Sequence, residues 1–373
     1  MAKIHLPYLD GIRGIAILGV FLFHSLIASY GFDNLRWNGI FRDFNTSRSF
    51  LVLYVFTYGW AGVAIFFVVS GFCIHLSYET SKDKSWSLFA KKRFVRIYPP
   101  YFLALLLFSF VWPLGRVELD SLFGFAQFAA HALAIHNYDH RTFFGINGSF
   151  WSIAVEIQLY AIYPLLVLFK NSFGWMRTLL MAGFAQICSS LYSSINGLQS
   201  ESPLPPYITA SPFAYWLSWS LGAYLCHCYL TNKTPRPLQI RFDVVLIIAL
   251  VMPFFKPLAP FAFLTFSLLT AIAIERLATE KWRLPSNIYF RWVWSHLSFL
   301  GVISFSFYLL HQPLIDLFVR ALSMVVVSKS TFSHPFLTFL LCVVSYPIFL
   351  GASYFAYRYI ELPFIRIGKT KLA

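Results

Sequence analysis

Apolar stretches close to membrane-spanning length recur through this chain from end to end. A helix needs about 20 mostly apolar residues to cross a hydrocarbon core of about 30 Å. Inside that core the backbone must satisfy its own polar groups, so only helices and closed barrels span it. Of the 373 residues, 58% are hydrophobic and 12% charged, whereas soluble domains carry roughly a quarter charged residues. A barrel would read as roughly ten-residue segments of alternating hydrophobicity, unlike the long continuous runs seen here. The reading is an all-α, polytopic transmembrane helical bundle of about ten spans.

Candidate spans fall near residues 11–29, 55–78, 98–114, 150–170, 177–195, 211–230, 242–257, 260–275, 298–320 and 336–358. Ten spans put both termini on one side. That side then holds 21 of the 29 Lys and Arg residues. Positive charge collects on the cytoplasmic face, so both termini are expected in the cytoplasm, and the location in the cell inner (plasma) membrane. Residues 115–149 contain a shorter apolar run, 121–136, that carries Gln127, His131 and His136. A span there would invert every later loop, so 115–149 is read as an outer re-entrant or interfacial segment. Loops are short, and residues 1–373 read as a single integral membrane domain.

The first apolar run is followed by no small-residue cleavage site of the usual signal-peptide form, so it reads as a retained first helix. The five Cys lie mostly in apolar runs, where small free Cys is an ordinary packing residue. Cys226 and Cys228, two apart, diverge on a helix, so no metal site is expected. The net charge of +14 has no soluble basic domain to carry it. It reads as membrane orientation and attraction to anionic membrane lipids, not nucleic-acid binding.

Ionisable side chains inside apolar helices are costly and mark functional sites by default. Arg13 and His24 lie in the first span with ten residues between them, about 16 Å apart along a helix. Imidazole, with an unperturbed pKa near 6.5, suits proton transfer at neutral pH. Glu156 is the one carboxylate of its span, at about the depth of His24, where it would orient or stabilise an imidazole. Arg93 and Arg96 are three apart in the basic stretch 79–97 and share a helix face. Guanidinium forks suit the phosphates of an anionic ligand. Gly59, Gly62 and Gly71 with Ser70 allow close helix approach, and His75 lies near the end of that span. His311, just before Pro313, is a second polar-cavity residue.

Together these segments resemble the acyltransferase-3 family of integral membrane O-acyltransferases. The resemblance covers nearly the whole chain. It rests on Arg13, ten residues and His24, then GVAIFFVVSGF at 62–72, KKRFVRIYPPY at 91–101, FWSIAVEIQLYAIYP at 150–164 and SFSFYLLHQPL at 304–314. The resemblance implies an acyl-CoA donor, most often acetyl-CoA, with no permanently bound cofactor. It implies a glycan or lipid-linked glycan acceptor such as lipopolysaccharide or exopolysaccharide. His24 is then the expected catalytic base, with Glu156 and Arg13 as further catalytic residues. Arg13, Arg93 and Arg96 are the expected donor-binding residues. The chain ends soon after the tenth expected span, which resembles the stand-alone type without a fused esterase-like domain. By chemistry alone, Arg, His and Glu inside a membrane also suit a transporter or flippase for an anionic or glycan-linked substrate. Oligomeric state is not legible in these motifs.

Overall fold

The apolar runs fold as helices, the state in which a backbone without water bonds to itself. The computed structural model describes residues 6–43, 48–113, 117–199, 204–233, 239–327 and 335–370. Lys3, Arg236 and Lys371 of the basic residues counted above lie outside the described residues, as do 115 and 116 of the expected re-entrant segment. Among the described residues the only paired strands are two-residue pieces, Trp37–Asn38 and Phe41–Arg42, joined antiparallel.

Five stretches are long and apolar enough to cross a membrane: Pro7–Tyr30, Arg48–Glu79, Trp86–Val111, Tyr163–Leu198 and Ala259–Ala278. Two bent pairs raise the number to seven if each is one span. They are Ile288–Val302 with Ser304–Met324, bent by 82°, and Pro335–Val344 with Tyr346–Gly368, bent by 46°. The protein is thus a multi-pass helical bundle with five to seven candidate spans among its described residues, which corrects the expected count of about ten. The cytoplasmic placement of both termini rested on that even count and falls with it.

The discrepancy has a physical cause. A hydropathy window adds up apolar residues whether or not one helix carries them. Phe150–Ala161, Trp216–Leu230 and Phe242–Val251 have 12, 15 and 10 residues. At 1.5 Å per residue they reach about 15–23 Å, short of the hydrocarbon core. Pro253 sits in the 3-10 turn that ends the last of them. The stretch from Tyr163 is broken at Gly174, whose φ of 77° and ψ of 167° leave the helical region, a conformation open to a residue without Cβ. Between Trp86–Leu106 and Phe150–Ala161 lie two short helices, Leu122–Ala132 and His140–Phe143. The first is capped by Ser121 Oγ, which accepts from Gly124 N–H at 2.9 Å.

The Pro7–Tyr30 helix organises the bundle. It packs along Ile288–Val302 and also meets Gly62–Glu79 and Ser304–Val327. Lipid removes the hydrophobic drive between helices, so close backbone approach takes its place. A Cβ on Gly14 would lie 1.9 Å from Leu297 O, and one on Gly59 2.0 Å from Gly19 O. Gly62–Glu79 and Trp216–Leu230 meet the same way: a Cβ on Gly71 would lie 2.0 Å from Trp219 O, and one on Gly222 1.9 Å from Val68 O. Around these contacts Ile17, Phe21, Phe67, Tyr101, Phe150, Trp219 and Phe307 are buried in one core. The rings of Phe21 and Phe307 meet edge to face with centroids 5.7 Å apart.

The seam predicts opposite effects for one substitution at two sites. Gly222→Ala must push the helices apart, at a cost of about 1–3 kcal/mol, and lowers the thermal unfolding midpoint of the detergent-solubilised protein. Gly351→Ala, with no atom within 4 Å of the added carbon, leaves the midpoint unchanged or raises it, because Ala favours helix over Gly.

Candidate active site

Two cavities open at different levels of the bundle. The first, about 100 Å³, is lined by Arg13, Arg93, Arg96 and Glu156, with Ser70, Cys73, Ser152, Tyr160 and Tyr308 among its other walls. Ser85 begins the helix that carries two of these arginines, its Oγ accepting from Leu88 N–H at 3.4 Å. Arg93 donates from one terminal nitrogen to Ser77 Oγ at 2.6 Å, and its guanidinium lies 5.7 Å over the Phe89 ring. Its Nε is buried without a partner among the described residues. The Glu156 carboxylate accepts from Ser70 Oγ at 2.7 Å and from the Tyr160 hydroxyl. Trp219 Nε1 donates to Ser70 Oγ at 3.3 Å and holds that serine in place. Three guanidinium-bearing residues therefore share this lining with one carboxylate, whose Oε1 already accepts two hydroxyls. The lining carries an excess of positive charge and an unmet donor, which suits an anion.

The second cavity is wider, about 820 Å³, and is lined by His24, Phe144, Asn147, Trp112, Trp151, Gln312, Asp316 and Arg320 among others. That volume falls within the range of small-molecule sites. His24 is half-buried in its wall. Its Nδ1 lies 3.0 Å from Val20 O and 3.1 Å from His311 Nε2. His311 is fully buried, with Nδ1 2.8 Å from Tyr308 O. Carbonyl oxygens only accept, so in the neutral rings both Nδ1 atoms carry the proton. This assigns the tautomers from partners rather than from observed hydrogens. His24 Nδ1–H is then shared between Val20 O and the bare Nε2 of His311. The Nε2 of His24 keeps its lone pair and has no partner among the described residues.

Local sequence explains this geometry. Pro313 sits inside the Ser304–Val327 helix and has no N–H for Leu309 O, four residues back. That carbonyl is taken instead by Asn147 Nδ2 at 3.0 Å. Asn147 Oδ1 in turn accepts from Ser149 N–H at 3.0 Å, and Ser149 Oγ donates to Gln312 Oε1 at 2.6 Å. The Asn147–Ser149 loop is thereby pinned across the kinked helix beside His311, whose Nε2 lies 3.4 Å from Ser149 Oγ.

Arg13, Arg93, Arg96 and Glu156, singled out in the sequence, share one cavity. His24 lines the other, so Glu156 and His24 are not brought together. The partner of His24 is His311, an imidazole rather than a carboxylate. Its signal was the HQP triplet, in which a proline frees backbone acceptors beside a histidine. His75 is buried, with Nδ1 2.8 Å from the Tyr163 hydroxyl and Nε2 3.6 Å from Glu79, a tie between helices outside both cavity linings. Among the described residues no group of three His, Cys, Asp or Glu side chains is arranged to hold a metal ion.

Comparison with known proteins places the chain in a family. The family model described as an acyltransferase domain, acyltransferase 3, matches residues 6–358. The chain is similar to the peptidoglycan O-acetyltransferase OatA of Listeria monocytogenes, 24% identical over 84% of this chain and 50% of that protein. It is similar to the putative peptidoglycan O-acetyltransferase YrhL of Bacillus subtilis, 23% identical over 84% of this chain and 49% of that protein. The acyltransferase MdmB of Streptomyces mycarofaciens is 28% identical over 43% of this chain and 39% of its own length. The chain thus spans about half the length of the first two relatives. No solved structure matches it.

Removing Glu156 leaves the Ser70 and Tyr160 hydroxyls without their shared acceptor. Hydrogen bonds to a charged group are worth about 1.5–3 kcal/mol, so Glu156→Ala lowers the thermal unfolding midpoint and Glu156→Gln, which keeps an acceptor oxygen, recovers part of the loss. An unchanged midpoint in Glu156→Ala contradicts the arrangement.

Proposed function

The chain belongs to the acyltransferase-3 family, and from that premise we propose that it is a membrane-bound O-acyltransferase. In this reading it moves an acyl group, acetyl from acetyl-CoA foremost, to a hydroxyl of a cell-surface or lipid-linked glycan. The observation that carries the reading is the pairing of two cavities. One holds three guanidinium groups; the other holds an imidazole with Nδ1 engaged and Nε2 open.

The donor cavity supports an anionic thioester. Arg93 and Arg96 meet the phosphates of CoA, with bidentate forks suited to them. The narrow space beyond suits a linear acyl-pantetheine arm, and Arg13 stands along it. Glu156 offsets part of the positive charge and fixes Ser70 and Tyr160. The wider cavity, with Trp112 and Trp151 beside Asn147, Gln312 and Asp316, offers aromatic faces and hydrogen-bonding groups to a sugar ring. The inner (plasma) membrane is the location at which a cytoplasmic acyl-CoA and a lipid-linked glycan are both within reach.

The chemistry follows from the tautomers. His24 Nε2 takes the proton of the acceptor hydroxyl as its oxygen attacks the thioester carbonyl. The imidazolium that forms is stabilised by the two acceptors on Nδ1–H, Val20 O and His311 Nε2. His311 thus occupies the place that an aspartate takes in a hydrolytic triad. As the carbon–sulfur bond breaks, the leaving thiolate takes the proton back from Nε2.

The test uses the purified full chain with labelled acetyl-CoA and a panel of glycan acceptors. His24→Ala lowers kcat by about 10²–10⁴-fold, the range for loss of a general base, with little change in acetyl-CoA affinity. Arg93→Ala and Arg96→Ala act mainly on the donor KM, raising it about tenfold for each 1.4 kcal/mol of charge-assisted bonding lost. Unaltered transfer by His24→Ala contradicts the assignment of the base.

A further inference from the structure

Attack on a thioester puts negative charge on the carbonyl oxygen, and the donor aimed at that charge is usually a large part of catalysis. The five residues singled out in the sequence do not supply a donor at the wall between the cavities. That wall forms where Phe150–Ala161 meets Ser304–Val327. Consecutive residues of the first helix face opposite ways: Trp151 lines the His24 cavity and Ser152 the arginine cavity. On the second helix Tyr308 lines the arginine cavity and Gln312 the His24 cavity. His311, between them in sequence, is bonded to His24. In the acyl-transfer reading, the acyl group passes this wall on its way from the arginines to His24.

The wall carries a pair of hydroxyls. Ser152 Oγ and the Tyr308 hydroxyl lie 2.6 Å apart, and both residues are buried. The Tyr308 ring is held edge-on by Phe66, with centroids 5.9 Å apart, and its centroid lies 5.2 Å from that of His311. The phenol is therefore fixed beside His311, and its residue lines the arginine cavity. Ser152 Oγ also lies where it can donate to Ser149 O, at 3.2 Å. A serine hydroxyl has one proton and two lone pairs. When that proton points to the Tyr308 oxygen, the phenolic proton is free to point into the cavity.

We propose that the Ser152–Tyr308 hydroxyl pair is the oxyanion site of acyl transfer, with the Tyr308 O–H donating to the thioester oxygen and Ser152 donating to the phenol. The inference rests on the acyl-transfer reading above. As His24 Nε2 takes the acceptor proton, the new carbon–oxygen bond forms and the carbonyl π pair moves onto the oxygen held by Tyr308. The pair then returns, the carbon–sulfur bond breaks, and the thiolate leaves with the proton from His24. Tyr308 keeps its own proton throughout.

The test compares kcat and donor KM for Tyr308→Phe and Ser152→Ala in the full-length protein. Loss of an oxyanion donor costs about 10²–10³ in kcat, so Tyr308→Phe falls by that factor while the acetyl-CoA KM stays within about threefold. Ser152→Ala, which removes the support of the phenol together with the bond to Ser149 O, shows a smaller loss that is again in kcat. A kcat for Tyr308→Phe near that of the native protein overturns the proposal, and so does a loss confined to KM. Tyr308→Phe strands no buried donor, because Ser152 keeps Ser149 O as its acceptor. If that variant still fails to fold, an unchanged kcat in Ser152→Ala overturns the proposal by itself, and a reduced kcat with unchanged KM upholds it. O-acyl groups on surface glycans of cells making each variant are read by mass spectrometry in parallel. Native cells that acylate glycan, with purified protein inert toward acetyl-CoA, count against the donor reading, and the cellular measurement then decides the hydroxyl pair. Transfer retained in His24→Ala but lost in Tyr308→Phe counts against the base and upholds the pair.

Discussion

A polar group inside a bilayer has no water to fall back on, and the rest of this structure depends on how the chain meets that constraint. The kink at Pro313 shows it most clearly. One missing N–H leaves Leu309 O without its helical partner, and Asn147 reaches across to take it. That contact pins the loop before the Phe150–Ala161 helix against the Ser304–Val327 helix. Beside it His311 bonds Tyr308 O through Nδ1 and turns its bare Nε2 toward His24. Val20 O and the bare Nε2 of His311 both engage Nδ1 of His24 and leave its Nε2 free. In the proposed reaction that free nitrogen is the one that takes the acceptor proton.

The same constraint explains why the charges gather. Arg13, Arg93 and Arg96 could not be scattered through hydrocarbon without large desolvation costs. They line one cavity with Glu156, whose Oε1 is occupied by Ser70 and Tyr160. The buried Nε of Arg93 is left without a protein partner among the described residues. An anionic donor, as proposed above, would fit such a lining, and the glycine seams bring the surrounding helices into close contact. Packing and chemistry meet on the Pro7–Tyr30 helix. It carries Gly14 into contact with the Ile288–Val302 helix and also bears Arg13 and His24.

Much of the site was legible in the sequence because hydrocarbon makes ionisable residues conspicuous. Arg13, His24, Arg93, Arg96 and Glu156 stand out in apolar or membrane-adjacent runs, and four of the five do share a cavity. The mistaken pairing of Glu156 with His24 has a plain origin. Position along a helix gives depth, but it does not give the direction in which a side chain faces across the bundle. Matching depths therefore left Glu156 free to turn toward the arginines. The count of about ten spans failed for a related reason, since hydropathy does not show where Ile162 or Pro253 interrupts a helix. Ser152 and Tyr308 lie in two of the quoted motifs, at 150–164 and 304–314, but nothing there singled them out. A single hydroxyl in an apolar helix is ordinary, and only the meeting of two helices makes these two a pair.

The central claim is that the acyl donor enters from the arginine cavity and meets the acceptor at the wall beside His24. A cryo-electron microscopy structure of the full chain with a non-hydrolysable acyl-CoA analogue tests it most directly. The account predicts density for the phosphates at Arg93 and Arg96, with the acyl carbonyl at the Tyr308 hydroxyl. An analogue seated with its phosphates in the His24 cavity, or bound with the arginine cavity empty, would contradict it.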